Sequence, residues 1–128
     1  GKAFAYVNDR TVWKTPIGAH QAIAHPLAEG KVQIEMAKLM MQKAATMYDA
    51  GDDWGVAEPA NMAKYAAAEA CVKIVDQAVH SMGGNGLTTE YGLAPMLSLA
   101  RIARIAPVSR EMILNFVAQT SLGLPKSY

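Results

Sequence analysis

Hydrophobic and polar positions follow a helical period along most of the chain. Between Ile23 and Tyr48, apolar residues recur at spacings of four or seven, and charged or amide side chains occupy the opposite side. This pattern predicts a long amphipathic helix over about residues 20–50. Pro26 falls near its start, where a proline ring is tolerated or kinks the first turns, and Gly51 ends it.

A second helix is indicated by Pro59, which suits a first helical turn, and it stops at Gly83 and Gly84. Its apolar side consists mainly of alanine. Such small side chains let a neighbouring helix approach closely. We therefore expect this helix to pack tightly against another one.

The C-terminal part of the chain predicts two shorter helices. Residues 91–105 have a helical pattern that Pro95 interrupts early, and Pro107 forces a break before a last helix over about residues 109–122. No segment has the two-residue period of a strand. The fold class predicted is all-α, an antiparallel up-and-down bundle of about four helices with short connections.

Length, composition and charge exclude several classes of protein. A chain of 128 residues suits one domain, and 52% hydrophobic with 18% charged residues is not a disordered composition. The formal charge of +1 provides no patch for nucleic acid or for an anionic membrane. Charged or amide residues recur too often for a membrane span. We therefore expect no nucleic-acid partner and no membrane span.

The single cysteine and the first residues bear on compartment and completeness. Cys71 allows no internal disulfide and lies in an alanine-rich helix, so we expect an inert, buried thiol in a reduced, cytoplasmic protein. The sequence begins at Gly1 without a methionine or a secretory pattern. We expect residues 1–128 to be one domain of a protein whose N-terminal domains are missing from this sequence.

Common catalytic and metal-binding motifs are absent from the sequence. The three histidines have no carboxylate or cysteine partners at the spacing of metal ligands, so no metal site is predicted. There is no nucleophile elbow and no phosphate-binding Walker loop. Composition and periodicity alone therefore lead no further than a helical bundle.

Two loops contain more special residues than are needed to end one helix and begin the next. The first places Arg10 before an aromatic residue, a proline and the start of the long helix. The second has three glycines in four residues, whereas one glycine is enough to end a helix. Extra glycines allow the backbone to approach a ligand or another chain closely.

Taken together and in this order, the loops resemble the C-terminal helical domain of the acyl-CoA dehydrogenase family. The resemblance covers essentially the whole chain. The family's first motif, arginine, an aromatic residue, Pro-Ile and glutamine, and its second, Gly-Gly-x-Gly, are matched by Arg10, Trp13, Pro16, Ile17, Gln21, Gly83, Gly84 and Gly86.

The resemblance implies a function in the dehydrogenation of acyl-CoA thioesters. Members of this family bind FAD at an interface between subunits and remove two hydrogens from adjacent carbons next to the thioester carbonyl. The resemblance also implies a homotetramer or a hetero-oligomer, an acyl-CoA substrate and an electron-transfer partner. The residues that it places at the FAD site are Arg10, Trp13, Gln21, Gly83, Gly84 and Ser109.

Two positions depart from the family pattern. His80 stands where many members have a glutamine that contacts FAD, and a histidine can still donate that hydrogen bond. Pro107 stands where many members have the glutamate that removes the alpha proton, and a proline ring accepts no proton. No catalytic residue is therefore assigned. We expect Glu111 to complement the positive end of the last helix rather than to act as the base.

Two explanations of the missing base remain open. The intact protein carries it on an earlier helix, upstream of Arg10, or the protein is a non-catalytic structural or partner subunit of a hetero-oligomeric acyl-CoA dehydrogenase.

Three arginines form a separate cationic cluster. Arg101, Arg104 and Arg110 fall roughly on one helical side. They either contact an anionic coenzyme or a neighbouring subunit, or they form a solvated edge, and we favour the solvated edge.

Overall fold

The longest two helices pack side by side in opposite directions and form the centre of the molecule. In the computed structural model, which describes residues 1–126, helices account for most of the chain. The α-helices within that range are α1 (Lys2–Asp9), α2 (Gln21–Asp49), α3 (Ala57–Met82), α4 (Ala94–Ile105) and α5 (Arg110–Thr120), and 3-10 helices cover Ile17–Ala19 and Gly83–Leu87.

Small residues allow α2 and α3 to approach closely. A Cβ added to Gly30 of α2 would lie 2.9 Å from the Cγ1 of Ile74 on α3. Ala37 and Ala44 of α2 and Ala63 of α3 are buried as well. Alanine and glycine leave little side chain between the backbones, which is the close packing predicted from the alanine-rich pattern.

Helices α4 and α5 complete the bundle against α3. Ile113 of α5 is only 1% exposed, and Ala100 of α4 is buried. Ser109 caps α5, because its hydroxyl oxygen accepts a hydrogen bond from the Met112 backbone N–H at 3.3 Å. The prediction of an all-α bundle with four packed helices is confirmed.

The prolines fall where the helices tolerate them. Pro26 lies inside α2 without ending it. Helix α4 begins at Ala94, so the prediction that it starts at residue 91 and is interrupted by Pro95 is wrong. Pro95 lies in the first turn, where its missing N–H would have no intrahelical partner anyway.

Two elements were absent from the sequence-based prediction. Helix α1 has only 8 residues, little more than two turns, and it packs through Ala3 and Val7. A small hairpin pairs β1 (Thr11–Val12) with β2 (Thr15–Pro16). The prediction that no strand exists is therefore wrong, because two-residue strands are too short to show alternation.

Cys71 contradicts the prediction of a buried thiol. Its side chain is exposed, at an apolar groove of about 850 Å³ between α2 and α3. The apolar side of α3 is wider than its contact with α2, so a residue on that side is not thereby buried. Within residues 1–126, no helix is both long and apolar enough to cross a membrane, and no three potential metal ligands lie together.

Candidate functional site at one end of the bundle

The antiparallel register of α2 and α3 brings the two sequence motifs to the same end of the molecule. Gly30 lies opposite Ile74. Gln21 precedes Gly30 by nine residues, and Gly83 follows Ile74 by nine residues. The start of α2 therefore lies beside the end of α3, with His80 one turn before that end and exposed.

Arg10 leaves α1 at this same end with its side chain free. Its backbone N–H donates to the carbonyl oxygen of Tyr6 at 2.8 Å, and its carbonyl oxygen accepts from the Ile17 N–H at 2.8 Å. The guanidinium is exposed and makes no hydrogen bond or ion pair with any residue in the described range, 1–126. A planar, permanently charged donor is thus available to an anion.

Trp13 projects from the tip of the hairpin. Its φ is 52° and that of Lys14 is 74°. Positive φ at both central residues is typical of a type I′ hairpin turn, which here forms without glycine. The indole is 85% exposed and meets the His20 ring edge-to-face, with centroids 6.1 Å apart. The Nε2 of His20 is buried and has no hydrogen-bond partner among residues 1–126.

The three glycines of the second motif have three different environments. Gly83 ends α3 with a φ of 58°, which favours glycine. A Cβ on Gly86 would lie 2.9 Å from the Val79 Cα and closer still to the Val79 carbonyl oxygen. A Cβ on Gly84 would meet nothing within 4 Å, and its φ is not in the left-handed region. The fold therefore requires Gly83 and Gly86 but gives no reason for Gly84.

Tyr6 connects the two motifs. Its hydroxyl oxygen accepts a hydrogen bond from the Asn85 Nδ2 at 2.9 Å, and its ring meets Tyr91 edge-to-face at 5.6 Å between centroids. Nearby, the backbone N–H of Glu90 and then the Thr88 side chain lower the pKa of the Glu90 carboxyl group. Neither Tyr6 nor Asn85 was predicted as a site residue, although Asn85 stands inside the glycine motif.

Ser109 is not brought together with the other candidate residues. It lies in the α4–α5 connection, where the carbonyl oxygen of Val108 accepts from Lys64 of α3, and Arg110 at the start of α5 contacts Glu69 of α3. The α3 positions 64–69 precede Met82 by 13 to 18 residues, so Ser109 is about 20–27 Å from the glycine motif along the axis. Pro107 is exposed in the same connection. One copy of the chain thus presents two separate candidate regions.

Glu69 of α3 forms ion pairs with two of the three arginines. Its carboxylate contacts Arg104 Nη2 at 2.7 Å and Arg110 Nε at 3.2 Å, and the Glu69 and Arg104 side chains are only 28% and 29% exposed. The Tyr65 hydroxyl and then the Glu69 carboxylate raise the pKa of Arg110. The predicted solvated edge is therefore wrong for Arg104 and Arg110, whereas Arg101 is exposed.

Glu111 lies in the first turn of α5, as expected for a carboxylate at the positive end of a helix. Its side chain is 71% exposed, and its carboxylate lies 3.7 Å from the Arg110 guanidinium.

Lys64 fixes the connection that carries Ser109. Its ammonium donates to the carbonyl oxygens of Ala103 at 2.5 Å and Val108 at 2.6 Å, on either side of the break between α4 and α5. We expect Lys64→Met to lower the free energy of unfolding by about 1.5 kcal/mol, because two carbonyl groups lose a charged donor. Urea unfolding of the purified protein measures this loss. Lys43→Met, on exposed α2 surface, is the control, and an equal loss in both variants would contradict the assignment.

Comparisons of sequence identify relatives over the whole chain. The family model for the acyl-CoA dehydrogenase C-terminal domain matches residues 1–122. The chain is 71% identical to the acyl-CoA dehydrogenase FadE12 of Mycobacterium tuberculosis over 128 residues, which is 100% of this chain and 33% of that protein. It is 35% identical to acyl-CoA dehydrogenase family member 11 of Homo sapiens over 113 residues, 88% of this chain and 14% of that protein. The chain thus spans a third or less of these relatives.

Solved structures contain the same fold. Glutaryl-coenzyme A dehydrogenase in complex with glutaryl-CoA superposes with a TM-score of 0.86 at 30% identity, covering 98% of this chain and 32% of that one. Butyryl-CoA dehydrogenase from Megasphaera elsdenii gives a TM-score of 0.86 at 29% identity, covering 96% and 31%. The FAD complex of PigA gives 0.89 at 24% identity, covering 95% and 31%, which shows likeness of fold alone.

The predicted family resemblance is thereby confirmed by sequence and by fold. The match covers both loops and all the helices from α1 to α5. The chain belongs to the acyl-CoA dehydrogenase family and corresponds to its C-terminal domain.

Proposed function

We propose that this chain is the C-terminal third of a flavin-dependent acyl-CoA dehydrogenase. We also propose that the end of the bundle that carries Arg10 and Gly84 forms half of an FAD site. The observation that supports this proposal most directly is the open environment of Gly84. The other two glycines of the motif are explained by the fold itself, whereas Gly84 is exposed and its missing Cβ leaves open space. Such a position suits a backbone that a molecule from outside the domain approaches closely.

The side chains around Gly84 suit a dinucleotide. The Arg10 guanidinium, exposed and unpaired within residues 1–126, offers the planar set of donors that fits a pyrophosphate. Gln21 and His80 add exposed amide and imidazole groups at the same end of the bundle. Trp13 offers an exposed aromatic surface beside them. These residues would bind and orient the cofactor, together with the backbone at Gly83 and Gly84.

Bound FAD would supply the acceptor for the two hydrogens removed from an acyl-CoA thioester. The relative solved with glutaryl-CoA supports an acyl-CoA as the class of substrate. We propose a homotetramer or hetero-oligomer in which another subunit completes the FAD site, because Arg10 and Gly84 lie at the surface of this domain. An electron-transfer partner and a cytoplasmic location belong to the same proposal.

Ser109 would contact FAD separately from the Arg10 end. The distance of about 20–27 Å along α3 means that Ser109 and Gly84 of one copy would reach different parts of a cofactor or two different cofactors. Its hydroxyl oxygen already accepts the capping hydrogen bond of α5, so its O–H proton would be the group offered to the cofactor.

A second candidate function follows from Pro107. Neither Pro107 nor Glu111 supplies a positioned base: the first has no acid–base group, and the second is 71% exposed and contacts Arg110. The protein therefore either carries its base upstream of Arg10 or acts as a non-catalytic subunit that retains part of the FAD site.

Expression of the full-length protein without other subunits distinguishes these functions. We expect yellow protein that copurifies with FAD. Reduction of that FAD by acyl-CoA would support a base in the upstream domains. Bound FAD that no acyl-CoA reduces, with reduction restored by a second subunit, would support the partner-subunit function. Full-length oligomer that is colourless and cannot be loaded with FAD would contradict both.

A further inference from the structure

Tyr6 makes hydrogen bonds to both sequence motifs of the candidate site, although it belongs to neither of them. Its backbone carbonyl oxygen accepts from the Arg10 N–H at 2.8 Å, and its hydroxyl oxygen accepts from the Asn85 Nδ2 at 2.9 Å. The first bond fixes the point at which Arg10 leaves α1. The second fixes the residue that follows Gly84.

The residues around Tyr6 fix both its helix and its ring. Ala3 and Val7, on either side of it along α1, are both buried. The ring is half-buried and meets the Tyr91 ring at an interplanar angle of 88°. The Lys2 ammonium also donates to the Tyr91 carbonyl oxygen at 2.7 Å, so α1 is attached to the segment after the glycine motif at two points.

We propose that Tyr6 is a positioning residue that holds the glycine motif at a fixed distance from Arg10, and so prepares both for one dinucleotide. This inference rests on the proposed FAD site. A bound dinucleotide needs Arg10 and Gly84 in place at once, and affinity falls when their relative position must be fixed on binding. Tyr6 itself makes no contact with the cofactor in this proposal.

Tyr6→Phe in the full-length protein tests the role of the hydroxyl alone. We expect the Kd for FAD, measured by flavin fluorescence, to rise about three- to tenfold, the range that loss of one hydrogen bond produces. We also expect a changed visible circular dichroism of the bound flavin. Tyr91→Phe is the matched control, because it removes the other hydroxyl of the same ring pair, one that makes no hydrogen bond within residues 1–126.

Asn85→Ala removes the same hydrogen bond from its exposed side and decides the matter if Tyr6→Phe does not fold. It should raise the Kd equally, and the double variant should bind FAD no more weakly than either single variant. Unchanged Kd in both variants, or an equal rise in Tyr91→Phe, would overturn the positioning role while leaving the proposed FAD site intact. Wild-type protein that binds no FAD would overturn both.

Discussion

Replacing Arg10 with alanine should weaken FAD binding by the full-length protein about 30- to 100-fold. The guanidinium is exposed and unpaired in the described part of the chain, so its removal breaks no internal ion pair. Charge-assisted hydrogen bonds to a phosphate are worth about 2–2.7 kcal/mol here, within the usual range for a charged donor, which corresponds to this change in Kd. Titration of apoprotein with FAD measures it.

Two further variants separate shape from charge at this position. Arg10→Lys keeps the charge but loses the planar pair of donors, so its Kd should lie between those of wild type and Arg10→Ala. Lys43→Ala removes one positive charge on the distant part of α2 and should leave the Kd unchanged. Equal Kd values for Arg10→Ala and wild type would remove Arg10 from the cofactor site.

Gly86→Ala should lower the free energy of unfolding by about 1–3 kcal/mol, the usual cost of forcing an extra carbon into a packed site. The added Cβ would lie 2.9 Å from the Val79 Cα, with the Val79 carbonyl oxygen closer still. These are backbone atoms of α3, so the clash cannot be relieved by a side-chain rotation and the glycine motif must move. Urea unfolding of the full-length protein measures the loss.

Gly84→Ala is the matched control for this loss. It makes the same chemical change two residues earlier, where the Cβ meets nothing within 4 Å. Its unfolding free energy should stay within about 0.5 kcal/mol of wild type, whereas its FAD affinity should fall. Equal destabilisation by both variants would contradict the separate environments assigned to the two glycines.

The long helices could be predicted from the sequence because their signals are local. The period between Ile23 and Tyr48 continues over many turns, and Pro59 and Gly83 mark the ends of the next helix. Elements with weak local signals were not found. Helix α1 spans little more than two turns, and it has neither a proline in its first turn nor a glycine at its end. The turn at Trp13 and Lys14 has none of the glycine or asparagine that usually marks a hairpin.

The grouping of the candidate site depends on tertiary packing. Sequence spacing does not place Gln21 beside Gly83. The antiparallel register of α2 and α3, visible at Gly30 and Ile74, does so. The same packing separates Ser109 from them, although the family resemblance assigned all of these residues to one cofactor. The contact between Tyr6 and Asn85 likewise joins distant parts of the chain.

The burial of individual side chains could also not be predicted from the local sequence pattern. Cys71 lies on the alanine-rich side of α3 yet is exposed, because α2 does not cover that whole side. Arg104 and Arg110 look like surface charges in the sequence, yet both contact the partly buried Glu69. In each case the outcome depends on which neighbour packs against the helix, which the period of that helix alone does not specify.

The structure of the full-length protein with FAD bound would test the central claim most directly, through one distance. We predict that a guanidinium nitrogen of Arg10 lies about 3 Å from a phosphate oxygen of FAD, and that this FAD is bound mainly by another subunit, with Gly84 against it. Arg10 and Gly84 both facing solvent, with FAD bound elsewhere in the oligomer, would contradict the account.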